Sequence, residues 1–126
     1  MCWNKKEEFF FLPGGGVEVG ENVQECLIRE LQEELSFNAE VEAFLGCLEN
    51  HYHFQDSTYQ EFNFIFRVKA TEGILDGPIE DGEDRLDFQA VPINDLSSMA
   101  VFPTRLAEFI RYHQKESAYL FEQQTR

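Results

Sequence analysis

Apolar residues recur along the chain with two different periods, and the longer period marks the predicted helices. Between residues 22 and 35 they return every three or four positions, which predicts one amphipathic helix with a buried stripe. At about 100° per residue, the stripe comprises Val23, Leu27, Ile28, Leu31 and Leu35. A second helix is predicted to begin at Pro103, a residue favoured in the first turn, and to continue to about residue 113.

Extended segments surround the first predicted helix. Residues 8–12 (EFFFL) predict a strand that stops at Pro13 and three glycines. Two longer segments, at about 39–50 and 59–69, are separated by a polar break, so we expect them to pair as antiparallel strands. Residues 85–93 predict a further strand.

The segment at 59–69 alternates aromatic residues with mixed ones. Phe62, Phe64 and Phe66 fall on one side of the predicted strand, because successive side chains of a strand point to opposite sides. The aromatic side is therefore predicted to pack on the core.

The predicted elements follow the order β, β, α, β, β, β, α. This order indicates an α/β fold in which helices pack on a mixed sheet. With 126 residues, 43% of them hydrophobic, the chain is expected to form one domain that spans residues 1–126. Residues 115–126 are largely polar and predict no element.

Acidic residues outnumber basic ones by 24 to 10, which gives a formal net charge of -14. Such a charge repels nucleic acid backbones and anionic membrane surfaces, so neither is an expected partner. A small phosphorylated substrate stays compatible if a divalent cation reverses the field locally. Three scattered cysteines favour free thiols, and no apolar segment approaches the ~20 residues that cross a bilayer. We therefore expect a soluble, cytoplasmic protein.

One stretch of the first predicted helix, RELQEELS at residues 29–36, crowds carboxylates together. Glu30, Glu33 and Glu34 are three or four positions apart or adjacent, so they share one side of the helix. Like charges at this spacing destabilise a helix by about 0.2–0.5 kcal/mol per pair. Arg29 is the only arginine there, so a hard divalent metal such as Mg²⁺ or Mn²⁺ would compensate the charge. A solvated acidic surface is the alternative interpretation.

The wider pattern resembles the Nudix box. It requires a glycine, a glutamate, an Arg-Glu pair and a Glu-Glu pair at set spacings, and the LPGG segment before it strengthens the match. The chain supplies Gly15, Glu21, Arg29, Glu30, Glu33 and Glu34. Ser36 stands where the family has its final glycine, so we expect the helix end to shift, with Asn38 better able to adopt a left-handed conformation.

The resemblance implies an αβα sandwich and a reaction. Nudix hydrolases cleave a nucleoside diphosphate linked to another group, such as a nucleoside triphosphate or ADP-ribose, by metal-assisted attack of water on phosphorus. Carried onto this sequence, Glu33 and Glu34 would bind the metal, and Glu30 would be a ligand or help to deprotonate water. The supporting residues would be Arg29 and Glu21, which orient the carboxylates, Gly14, whose carbonyl would face the metal, and Gly15.

Many members of that family add an acid from outside the box. The candidates are Glu80, Asp81 and Glu83 in the acidic loop at 72–83, with Glu61 on a predicted strand as the alternative. Candidates for contacts with the substrate are His51, His53 and Trp3, although a surface or core position without a role is the favoured interpretation of the two histidines.

The short segment before Pro13 leaves two interpretations, since the family usually has more sheet there. Either the first strand is missing, and a second copy of the chain covers the exposed edge in a homodimer, or the sequence begins inside the natural domain. The main alternative to an enzyme is a non-catalytic module that binds a nucleotide or protein on the same fold. A third interpretation is an acidic scaffold that binds Ca²⁺ structurally.

Overall fold

The computed structural model describes residues 1–4, 8–36, 38–72, 79–80, 86–88, 91–112 and 118–123. In chain order, the elements are β1 (Cys2–Asn4), β2 (Phe9–Phe11), α1 (Val23–Leu35), β3 (Asn38–Phe54), β4 (Ser57–Glu72), β5 (Ile79–Glu80), β6 (Leu86–Phe88), a 3₁₀ helix (Ile93–Ser98), α2 (Leu106–Tyr112) and β7 (Ala118–Gln123). No helix in this part of the chain is both long and apolar enough to span a membrane.

The strands form two sheets. The first has the order β2-β1-β6-β5 with antiparallel neighbours. The second has the order β4-β3-β7, in which β4 runs antiparallel and β7 parallel to β3. The α/β class with a mixed sheet is therefore confirmed. The polar tail, which predicted no element, contains β7.

The long hairpin of β3 and β4 confirms the predicted antiparallel pair. Phe54 pairs with Ser57, so Gln55 and Asp56 alone make the turn. Both have positive φ angles, 48° and 63°, as two-residue hairpin turns of the favoured type require. The polar break in the sequence therefore marks this turn.

Each helix packs against the hairpin with its own apolar cluster. The residues that join α2 to β3 and β4 are Leu45, Leu48, Ile65, Leu106 and Phe109. The residues that join α1 to the hairpin and β2 are Leu31 and Leu35, with Phe11, Leu27, Ala39 and Val68 around them. The two helices thereby hold the hairpin and the segment before α1 in place.

The predicted aromatic core side of β4 is wrong. Phe62 and Phe64 are 53% and 48% exposed, whereas Ile65 on the other side is buried. The reason is that Ile65 and Leu48 supply the apolar contacts with α2, while the polar neighbours on that side bond to each other. Alternation in the sequence gives the period of a strand but not the side that is covered.

The buried stripe of α1 also differs from the prediction. Ile28 is exposed, while Cys26 is buried. Cys26 faces the glycine segment, and its Sγ lies 3.6 Å from the carbonyl oxygen of Gly15. The segment before the helix thus covers a side that the apolar pattern alone leaves open.

Candidate functional site

Helix α1 begins directly after the glycine segment because Asn22 caps it. The Asn22 Oδ1 accepts a hydrogen bond from the Glu25 backbone N–H at 2.9 Å, and the Asn22 Nδ2 donates to Glu25 Oε1 at 2.8 Å. The first of these bonds satisfies one backbone N–H that the helix leaves unpaired, and the second fixes the two side chains against each other. The cap at Asn22 therefore sets the start of the helix, and with it the directions of the carboxylate side chains in the turns that follow.

The helix ends at Leu35, and Ser36 itself adopts the left-handed conformation, with φ 50° and ψ 38°. The expected shift of the helix end is therefore wrong. A residue with a side chain loses roughly 1–2 kcal/mol in this conformation. The Ser36 backbone N–H, however, bonds to the carbonyl oxygens of Gln32 and Leu31, which closes the helix. A serine thus holds a left-handed backbone conformation at the position where the Nudix box has glycine.

Arg29 is the centre of the site. Its Nε and Nη2 donate to the two carboxylate oxygens of Glu21 at 3.0 and 2.7 Å. Its Nη1 donates to Glu30 Oε1 at 2.9 Å and to Glu33 Oε2 at 3.2 Å. The planar guanidinium suits this arrangement, since it binds one carboxylate with two parallel bonds and keeps donors for others. Arg29 therefore joins the segment before the helix to two carboxylates of the box.

The glycine segment lies against the same side of α1. Arg29 Nη2 donates to the carbonyl oxygen of Gly16 at 3.4 Å, while Cys26 approaches Gly15. A Cβ atom built on Gly15 would collide with the carboxylate of Glu30. The absence of a side chain at Gly15 is thus what allows Glu30 its position. The described contacts here involve Gly15 and Gly16, and the role of Gly14 stays a prediction.

Charge and burial fix the protonation states around Arg29. The hydrogen bonds from Arg29 and, to a smaller extent, from the Glu18 backbone N–H, which donates at 2.9 Å, together lower the pKa of Glu21 from 4.5 to about 2. The same pairing raises the pKa of Arg29 above its usual value. Burial raises the pKa of the Cys26 thiol. At neutral pH the site therefore contains a carboxylate, a guanidinium and a protonated thiol.

Replacing Glu21 with glutamine is expected to weaken the fold at neutral pH but not in acid. A pKa of about 2 in the folded protein, against 4.5, means that the ion pair stabilises the fold above pH 4.5. That contribution is lost as the pH falls from 4.5 towards 2. Urea unfolding across this range should show the difference between wild type and Glu21→Gln shrinking below pH 4.5. A constant difference would contradict the ion pair, and the exposed Glu40→Gln serves as control.

Two of the three box carboxylates share one nitrogen of Arg29 as a partner. Arg29 holds those of Glu30 and Glu33, and Glu34 is half-buried on the same helix. Among the residues described, no group of three or more His, Cys, Asp or Glu side chains is arranged as a metal cluster. The available donors, carboxylate oxygens beside glycine carbonyls, are nevertheless the class that hard divalent cations bind. These oxygen donors fit such a metal in chemistry, and Arg29 is the partner of Glu30 and Glu33 in the structure.

The two candidate histidines each have a partner on the hairpin. His51 Nε2 lies 3.1 Å from Glu49 Oε1, and His53 Nδ1 lies 2.8 Å from Thr58 Oγ1. These local contacts explain both histidines without a substrate. Their role in substrate binding therefore stays a prediction.

Most of the other candidates outside the box have side chains that the structure does not describe. Trp3 lies in β1 and Glu80 in β5, but the positions of their side chains lie outside the described part. Asp81 and Glu83 lie outside the described residues altogether. Glu61 is described, half-buried in β4.

Sequence reasoning missed the two asparagines that surround Glu61. Asn50 Nδ2 and Asn63 Nδ2 approach Glu61 Oε1 at 3.4 and 3.2 Å. The register of the hairpin, which pairs Asn50 with Glu61, is the signal that could have found them. That register requires the position of the turn, which the polar break indicated only approximately.

Two sheets, a capped acidic helix and a glycine segment joined to it by one arginine define the class as an α/β protein with a loop–helix site. The family model described as the NUDIX domain matches residues 3–113. The chain belongs to this family, as its resemblance to the Nudix box predicted.

Two curated proteins show the similarity at low identity. "Putative ADP-ribose pyrophosphatase YjhB" of Bacillus subtilis (strain 168) is 26% identical over 122 residues, which cover 91% of this chain and 57% of that protein. "ADP-ribose pyrophosphatase" of Methanocaldococcus jannaschii is 29% identical over 91 residues, which cover 72% of this chain and 50% of that protein. The chain thus spans about half the length of the curated relatives it matches.

Proposed function

We propose that this protein is a metal-dependent pyrophosphohydrolase that cleaves the diphosphate linkage of a nucleoside diphosphate joined to another group. The main support for this proposal is the set of hydrogen bonds made by Arg29. Its guanidinium joins Glu21 to the box carboxylates Glu30 and Glu33. A helix has no structural need for such repelling carboxylates on one side. The names of both relatives make ADP-ribose the first substrate to test, beside nucleoside triphosphates.

The proposed roles follow from the position of each side chain. Glu30, Glu33 and Glu34 would hold Mg²⁺ or Mn²⁺, together with a carbonyl oxygen of the glycine segment, and Arg29 orients the first two of them. A bound divalent cation supplies charge neutralisation at the pyrophosphate and a water of lowered pKa. Glu30 is also the group proposed to accept a proton from the attacking water.

The acidic character of the chain makes this cation necessary. With a net charge of -14, the protein repels a free pyrophosphate, so substrate and metal are expected to bind together. Activity should therefore rise with the divalent cation at fixed substrate. Ca²⁺, which is larger and more weakly polarising, should bind and inhibit.

The experiment that tests the proposal measures phosphate and nucleotide products from a substrate panel. The panel contains ADP-ribose, other nucleotide sugars, dinucleotides and the nucleoside triphosphates, each with Mg²⁺, with Mn²⁺ and with EDTA. Hydrolysis of at least one compound with metal, and none with EDTA, is expected. Tight nucleotide binding without turnover of any compound would instead favour a non-catalytic nucleotide-binding module.

Replacing Gly15 with alanine is expected to lower kcat about tenfold or more, because the new methyl group displaces the Glu30 carboxylate from Arg29. Gly16→Ala is the matched control, since a Cβ there meets no atom within 4 Å. Steady-state kinetics of both variants on the substrate found above provide the measurement. Equal losses in the two variants would show that the glycines serve the loop backbone and not Glu30.

A further inference from the structure

A polar group formed by Asn50, Glu61 and Asn63 lies on the side of the hairpin that carries the buried Leu48. Glu61 Oε1 accepts hydrogen bonds from Asn63 Nδ2 at 3.2 Å and from Asn50 Nδ2 at 3.4 Å. Asn63 also donates to the carbonyl oxygen of Leu48 at 3.3 Å. Two neutral amides on paired strands thus hold one carboxylate oxygen in a fixed position. A carboxylate has about four acceptor sites, so Glu61 retains capacity for further donors.

Asn50 provides an independent sign that a donor belongs here. It is fully buried, and its Oδ1 has no hydrogen-bond partner among the residues that the structure describes. Buried acceptors in folded proteins nearly always have a partner in the protein, in water or in a ligand. Asn50 therefore presents an acceptor for a donor that the described residues do not supply.

Aromatic rings flank this polar group. Tyr52 stacks on Tyr59 with ring centroids 5.1 Å apart, two residue pairs further along the hairpin, and the Tyr59 ring is partly exposed. Burial raises the pKa of Tyr52, and Glu61 raises it further, so the hydroxyl stays a donor. The Phe102 ring meets Tyr52 edge-on at 5.2 Å.

Phe102, whose ring meets Tyr52, also lines an open cleft. The cleft has a volume of about 400 Å³ and is lined by Phe9, Val101 and Phe102 together with residues around the 3₁₀ helix. Ligand sites typically measure about 300–1,000 Å³, so a nucleoside fits this space. Acceptors beside flat aromatic surfaces suit a neutral heterocycle or sugar that carries adjacent donors.

We propose that Glu61, positioned by Asn50 and Asn63 beside the Tyr52–Tyr59 pair, recognises the nucleoside part of the substrate by accepting hydrogen bonds from two adjacent neutral donors. A ribose cis-diol and the amino edge of a base both present such donors. The identity of the ligand as a nucleoside rests on the proposed function. Asn63 is a positioning residue and Glu61 contacts the ligand, while Asn50 positions Glu61 through its Nδ2 and offers its unpartnered Oδ1 to the ligand.

The test is an NMR titration of the 126-residue chain with adenosine in EDTA, which removes any contribution from a metal. Glu61→Gln is expected to raise the Kd about tenfold or more, as hydrogen bonds to a charged acceptor do. Glu40→Gln, an exposed acid on β3, should leave the Kd unchanged. Tyr59→Leu, at a partly exposed position that tolerates substitution, should also raise the Kd. Unchanged Kd values for Glu61→Gln and Tyr59→Leu would overturn the proposal.

Two analogues of adenosine identify which of its donors form hydrogen bonds to Glu61. Weaker binding of 2′,3′-dideoxyadenosine than of adenosine would support the ribose diol. Weaker binding of purine riboside, which lacks the amino group, would support the base edge. Equal binding of all three compounds to the wild-type protein would overturn the proposal.

Kinetics separate this inference from the proposed function. On a hydrolysed substrate, Glu61→Gln should raise KM more than it lowers kcat, because recognition of the nucleoside is lost and the chemical step is not. A large fall in kcat with an unchanged Kd for adenosine would overturn the inference and assign Glu61 as the additional acid. If no substrate is hydrolysed, the titration still decides the matter, since it needs neither metal nor turnover.

Discussion

Replacing Glu33 with glutamine is expected to lower kcat at least about a hundredfold while the melting temperature stays close to that of the wild type. The Glu33 side chain is 59% exposed, and its described ion pair is a 3.2 Å contact with Arg29. Exposed ion pairs contribute little to stability. The proposed role as a metal ligand, in contrast, stabilises the transition state by several kcal/mol, which corresponds to a loss of about two or more orders of magnitude.

Glu108 on α2 offers a matched control for Glu33. Its side chain is 52% exposed and forms a 3.2 Å ion pair with Arg105, the residue just before that helix. Glu108→Gln therefore removes an equivalent surface interaction at a position with no proposed role in catalysis. Both variants should melt alike, and only Glu33→Gln should lose activity. Similar activity of the two variants would remove Glu33 from the proposed site.

Replacing Arg29 with lysine is expected to lower kcat about 10–100-fold, the loss typical of residues that orient metal ligands. Lysine keeps the positive charge but has a single ammonium group, so it cannot bind both oxygens of Glu21 and reach Glu30 and Glu33 at once. The free energy of unfolding should fall as well, because the contact with Gly16 is also lost.

Arg105→Lys provides the comparison for Arg29→Lys. Arg105 donates through its Nε and Nη2 to the two carboxylate oxygens of Glu108, at 3.2 and 3.4 Å. The Arg105→Lys variant therefore measures the effect of losing a two-bond guanidinium–carboxylate pair at a position with no proposed role in catalysis. Steady-state kinetics and thermal melting of both variants are the measurements. Full activity in Arg29→Lys would show that charge alone suffices and that the fork geometry is irrelevant.

The local features of the fold were predictable because they depend on neighbours in sequence. The helical period located α1 at Val23–Leu35, and the polar break located the turn between β3 and β4. The resemblance to the Nudix box implied that Arg29 and Glu21 act together on the carboxylates, and the two side chains do pair. These features need only the geometry of one helix and one hairpin.

Features that depend on distant segments were not predictable. The strand β7 forms only because β3 offers a parallel partner about 70 residues earlier in the chain, and polar composition hides it. The covered side of β4 depends on where α2 packs. The Asn50–Glu61 group depends on the register of the hairpin. In each case the structure depends on a contact between residues that are far apart in sequence. The spacing of apolar residues within one helix or strand does not reveal such a contact.

Backbone strain accounts for the difference at Ser36. Sequence reasoning treated a serine in place of glycine as a reason for the helix end to move. The hydrogen bonds from the Ser36 backbone to Gln32 and Leu31 keep the left-handed conformation despite its intrinsic cost. Ser36→Gly is therefore expected to keep the same helix end.

The central claim is that the carboxylates gathered by Arg29 bind a divalent metal ion, and Mn²⁺ binding measured by electron paramagnetic resonance without substrate tests it most directly. The wild type and Glu108→Gln should bind Mn²⁺ with equal affinity. The double variant Glu33→Gln/Glu34→Gln should bind it about tenfold or more weakly. Equal Mn²⁺ affinity in the double variant and the wild type would contradict the account.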